Sequence, residues 1–167
     1  MALLPIVTTP DPILRKKAVK LRKVDDGIRK LALDMFETML EAPGLGLAAP
    51  QIGKSIRLIT VHVPEDEEDG TEETSLMLLN PEIVKSAGEQ TGAEGCLSMP
   101  GIGGNVNRAW SITVKAIDME NRPVRIKAEG YLAVVLQHEI DHLDGVLFTD
   151  HIADKENDLW VVEEKGT

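Results

Sequence analysis

From residue 28 to residue 40, apolar side chains recur at steps of three and four. Ile28, Leu31, Ala32, Met35, Met39 and Leu40 form one stripe, which predicts an amphipathic helix. Asp25 or Asp26 is placed to cap its start, and Pro43-Gly44 stop it after Ala42. Upstream, Pro5, Pro10 and Pro12 forbid a helix interior and predict extended or turn backbone. Residues 56–63 read as a strand. Residues 75–84 read as a second one, broken near Asn80-Pro81. Residues 95–108, punctuated by Gly95, Pro100, Gly101, Gly103 and Gly104, read as irregular. Strict alternation returns at 111–118, with Ile112, Val114 and Ala116 inward and Thr113 and Lys115 outward. Across the turn Glu120-Asn121-Arg122 it resumes at 124–128, so a hairpin is expected. A second long helix is predicted over 129–143, with Gly145 where a left-handed cap belongs. Helices segregated among antiparallel or mixed strands point to an α+β fold, with the second helix central and the first at the N-terminal side.

The 167 residues match the usual size of one domain, so a single domain over 1–167 is expected. At 43% hydrophobic and 28% charged, the composition excludes wholesale disorder. No apolar run approaches the roughly 18–20 residues of a membrane span. The N-terminus lacks the pattern of a secretory signal. The net charge of −10 excludes a nucleic-acid surface, which needs clustered Lys and Arg. The basic stretch Arg15–Lys23 reads as a solvated turn. Seven acids between Glu65 and Glu73 predict an exposed acidic loop over about 64–74. A short acidic tail is expected over about 151–167. A single cysteine excludes an internal disulfide and fits a reducing compartment, so a cytoplasmic location is expected.

The densest chemistry lies in His138-Glu139-Ile140-Asp141-His142, inside the second predicted helix. A spacing of four puts both imidazoles on one helical face, where they can chelate one cation. Glu139 lies beside that face, within reach to act as a base without being a ligand. A catalytic divalent site needs a third protein ligand and an open position. Cys96, in the glycine-flanked segment Glu94-Gly95-Cys96-Leu97-Ser98, is the candidate: a thiolate with two imidazoles completes such a set.

Three separated segments resemble the signature motifs of the peptide deformylases: Gly44-Leu45-Gly46-Leu47-Ala48-Ala49-Pro50-Gln51, Glu94-Gly95-Cys96-Leu97-Ser98 and Gln137-His138-Glu139-Ile140-Asp141-His142. Their order and spacing match, as does the opening Thr9-Pro10-Asp11-Pro12-Ile13-Leu14-Arg15, so the resemblance runs from residue 5 to about 150. The compact length is similar to the type I, bacterial-like members. The resemblance implies hydrolysis of the N-formyl group from the formyl-methionine of new polypeptides. It implies one divalent metal ion per chain on Cys96, His138 and His142, ferrous iron natively, with zinc, nickel or cobalt able to substitute. Glu139 would shuttle the proton, and the Gln51 amide and the Leu97 N–H would stabilise the oxyanion.

Tyr131, Val134, Val135 and His138 fall on one helical face leading to the metal. With Leu45, the first three correspond to family positions that line the methionine pocket. Gly44 and Gly46 would let a peptide backbone approach closely, suiting docking by strand addition. Glu94, Arg108 and Asp141 are candidates to orient the ligands from behind. Gly92 and Gly103-Gly104-Asn105 stand where family members often carry bulkier residues, so a more open outer cleft is expected. The basic C-terminal helix that some bacterial members use on the ribosome has no counterpart, so any proximity to the ribosome would be transient. An organellar origin, with a transit peptide removed, stays open. Two rival readings are a zincin-like metallopeptidase and a non-catalytic member that binds peptide ends. The first would not need Cys96; the second would lack Glu139 or Gln51, and both are present.

Overall fold

Asp25 caps the first long helix. Its carboxylate accepts the Ile28 N–H at 2.9 Å, and α1 runs Asp26–Glu41. The computed structural model of the protein describes residues 2–162. Eight strands follow: β1 (Gly46–Ala48), β2 (Leu58–Val63), β3 (Thr74–Ala87), β4 (Gln90–Gly95), β5 (Ile102–Arg108), β6 (Ser111–Ile117), β7 (Pro123–Glu129) and β8 (Leu159–Val161). The second helix, α2 (Gly130–Leu143), lies between β7 and a 3-10 turn at Phe148–His151. The strands form an antiparallel sheet in the order β1-β2-β3-β6-β7 and a smaller one in the order β4-β5-β8. The fold is α+β.

The helix α2 packs against the large sheet through Ala133, Val135, Leu136, Ile140 and Leu143, with Val61, Leu78 and Val114 in the same core. Leu136 and Leu143 are fully buried, each worth about 1.5–3 kcal/mol over an exposed position. A second core, built on Ala32, Met35 and Met39 of α1 with Leu47 and Leu58, holds the first helix to the edge strand β1. The helix that carries the metal motif is thus among the most tightly fixed elements of the chain. Gly145 takes the left-handed cap at φ 74°.

Four expectations change. The strand predicted to break at Asn80-Pro81 continues through it as one 14-residue strand. Asn80 adopts φ 52° and its amide bonds the Leu21 backbone at both N–H and C=O, so a register shift absorbs the proline. Residues expected to be irregular instead hold β5, because its glycines lie under other chain: a Cβ at Gly103 would stand 2.6 Å from Trp160 Nε1. The expected acidic tail is not a free tail over its described part. Ile152 is buried and β8 pairs with β5; residues 163–167 lie outside the described residues. Thr113, expected outward, is buried, whereas Lys115 is exposed. The acidic loop lies between β2 and β3 and is largely exposed.

Candidate metal centre

The small strand β4 delivers Cys96 one residue past its end, at the point where it meets the middle of α2. Sγ of Cys96 lies 3.3 Å from His142 Nε2, which lies 3.2 Å from His138 Nε2. All three atoms fall within 4.8 Å of one another. A thiolate and two imidazole nitrogens aimed at one point suit a divalent cation. Glu94 settles which nitrogen of His138 faces that point: its carboxylate takes Nδ1 at 2.9 Å, leaving Nε2 for the centre.

Behind the centre runs a chain of charge. Arg108 grips Glu94 with two hydrogen bonds of 2.9 Å and donates to Asp141 at 2.6 Å. Burial alone would raise the Glu94 pKa, but hydrogen bonds from Arg108 and His138 hold it down to about 2. Glu94 is therefore an anion throughout the physiological range, and it makes His138 a better electron donor. His151, which the sequence gave no reason to select, extends the chain to the surface, 2.8 Å from Asp141. The three residues expected to orient ligands are brought together as one network, though only Glu94 touches a ring of the donor set.

Glu139 is 3% exposed, and its Oε2 has no hydrogen-bond partner among the described residues. Burial lifts its pKa to about 7, against the opposing charge of His138. Such a group can both accept and return a proton near neutrality. Gln51 is buried too. Its Oε1 accepts the Ala48 N–H at 2.9 Å, which turns Nε2 toward Cys96 Sγ at 3.6 Å and Ser98 Oγ at 3.1 Å. Ser98, fully buried and part of a quoted motif, received no role from the sequence; it holds the Gln51 amide in place.

These groups stand along a cavity of about 390 Å3 whose walls include Leu45, Tyr131, Val134 and Val135, together with Leu97. Gly44 and Gly46 line it as well, yet their bare sides serve the protein itself. A Cβ at Gly46 would come 2.6 Å from Glu139 Cγ, and one at Gly44 would come 2.7 Å from Leu97 Cδ1. Gly46 thus also makes room for the carboxylate. Gly46→Ala is expected to displace Glu139 and cut turnover about tenfold or more, while metal content stays near one per chain; unchanged turnover would refute this. Of the outer glycines, Gly103 is covered by Trp160 and Gly104 by Ile152 and Asp158, so these two do not open the cleft, whereas a Cβ at Gly92 would meet nothing within 4 Å among the described residues.

An α+β fold that brings a thiolate and two imidazoles together beside a buried carboxylate suits metal-assisted hydrolysis. Residues 3–158 match the family model described as polypeptide deformylase. A peptide deformylase of Thermomicrobium roseum is 51% identical over 99% of this chain and 94% of its own length. Among solved structures, the peptide deformylase of Ehrlichia chaffeensis superposes with a TM-score of 0.88 at 40% identity, covering 93% of this chain and 90% of that one. A class I type b peptide deformylase of Acinetobacter baumannii, bound to Met-Ala-Ser, gives 0.83 at 35% identity over 90% and 99%. The chain belongs to the peptide deformylase family, enzymes that remove the N-formyl group from nascent polypeptides.

Proposed function

We propose that this chain hydrolyses formyl-methionyl peptides with Cys96, His138 and His142 as the metal ligands and Glu139 as the proton carrier. The convergence of three ligand atoms beside a buried, unpartnered carboxylate oxygen carries this reading. The bound cation supplies Lewis-acid charge and lowers the pKa of water beside it. Glu139 accepts a proton from the water that attacks the formyl carbon. It then returns a proton to the departing amine as the C–N bond breaks, giving formate and a free methionyl N-terminus. The Gln51 amide, fixed by Ala48 and Ser98, and the Leu97 N–H donate to the oxygen on which negative charge develops.

Substrate enters between two sheet edges. β1 and β4 are edge strands of their sheets, and both border the cavity. An extended peptide can add between them, with the methionine side chain in the slot formed by Leu45, Tyr131, Val134 and Val135. Formate release from formyl-Met-Ala-Ser, with the unformylated peptide left intact, tests the reading. Cleavage of the peptide bonds instead would favour the metallopeptidase alternative, which the sulfur beside both rings disfavours.

Ferrous iron is the proposed native metal, with zinc, nickel or cobalt able to occupy the same mixed nitrogen–sulfur site. Thiolate beside ferrous iron is oxidation-prone, so the iron form is expected to lose activity in air far faster than the nickel form. Equal aerobic half-lives would count against it. Glu94→Gln removes the charge behind His138 and is expected to lower metal affinity about 10- to 100-fold, read by metal retention against a chelator. Retention unchanged from the wild type would leave Glu94 without an orienting role. The proposed setting is the cytoplasm, acting on chains as they leave the ribosome without stable attachment to it; no helix among the described residues is long and apolar enough to cross a membrane.

A further inference from the structure

We propose that β8 and the residue after it form the wall of the cleft that meets the side chain following methionine, with Val162 as the contact and Trp160 as the residue that positions it. The inference rests on the peptide-binding reading of the cavity. Val162 lines the cavity together with Leu97, Met99, Gly101 and Ile102, whereas Tyr131, Val134 and Val135 of the methionine slot come from α2. In an extended chain successive side chains point to opposite sides. With methionine directed toward α2, the next side chain faces the wall that Val162 completes.

Several independent contacts fix that wall. Ile102, Gly103 and Gly104 of β5 pair with Val161, Trp160 and Leu159, and the Val162 N–H donates to the Gly101 carbonyl at 2.8 Å. The Asn105 N–H donates to the Asp158 carbonyl at 2.8 Å, which anchors the other end. Trp160 packs against Gly103, where a Cβ would stand 2.6 Å from the indole Nε1, so the glycine and the tryptophan form a matched pair. Val162 remains half exposed, leaving apolar surface for a ligand.

The test uses the metal-loaded chain with formyl-Met-Leu-Ser and formyl-Met-Lys-Ser. Val162→Asp is expected to shift the ratio of kcat/KM about fivefold or more toward the lysine peptide, through KM, with kcat within about twofold. Trp160→Ala is expected to weaken the preference for the leucine peptide severalfold, also through KM. A lower Tm in Trp160→Ala with an unchanged KM ratio in both variants would make β8 merely structural and overturn the proposal. Should Trp160→Ala fail to fold, Val162→Asp, at a half-exposed position, decides alone. If the unaltered chain releases no formate from either peptide, the catalytic reading falls and this inference with it.

Discussion

Glu139→Ala is expected to bind as much metal as the wild type, one ion per chain on the proposed assignment, and to lose turnover by at least about a hundredfold, the lower range for loss of a general acid–base group. The carboxylate does not belong to the converging donor set. Its nearest approach to His138 Nε2 is 3.9 Å, outside hydrogen-bond range, while His142 Nε2 lies 3.2 Å from His138 Nε2 and 3.3 Å from the Cys96 sulfur. Removing it should therefore leave the ligands in place. What disappears is a group held in a dry position with one oxygen unpartnered and a pKa lifted to about 7 by burial. The fold goes to some length to keep it there: β1 passes close enough over Glu139 that residue 46 has no room for a Cβ. Elemental analysis beside formate-release rates checks the expectation. Near-normal turnover with full metal would remove Glu139 from the chemistry.

The parts of this molecule that were legible in the sequence are those governed by local rules. Helix α1 announces itself by its apolar stripe and its aspartate cap. The β6–β7 hairpin announces itself by strict alternation, and α2 by the i, i+4 histidines on an apolar helix. What misled was chain whose conformation depends on distant partners. Gly103-Gly104-Asn105 has poor strand propensity, and it is extended because β4 pairs with it on one side and β8, from more than fifty residues downstream, covers its glycines on the other. Asn80 continues β3 because its amide answers Leu21, a contact no local pattern reveals. The place of Cys96 beside the two histidines was read from its motif rather than from any local pattern, and the network from Glu94 through Arg108 and Asp141 to His151 joins residues from β4, β5, α2 and the following turn. Ser98 shows the same limit at one side chain: a buried serine has no signature until the amide it receives is in view.

Cys96→Ala carries the other large expected effect: metal affinity lower by at least about a hundredfold, with activity lost in step. Two imidazoles remain after the change, and Glu94 still orients one of them, so residual weak binding is expected rather than none. The metal-free chain should fold as before, because Cys96 is only partly buried and its neighbours Met99, Val106 and Phe148 form a core of their own. Comparing metal stoichiometry with the Tm of the metal-free forms separates loss of the ligand from loss of the fold. The variant also divides the two hydrolase classes that share a helix with paired histidines. A zincin-like site would draw its third ligand elsewhere and keep its metal without the sulfur. Here the sulfur lies 3.3 Å from one imidazole nitrogen and receives the Gln51 amide at 3.6 Å, so on the proposed assignment one atom would both complete the donor set and help to aim an oxyanion donor. Full metal retention in Cys96→Ala would break that link and, with it, the assignment of the centre.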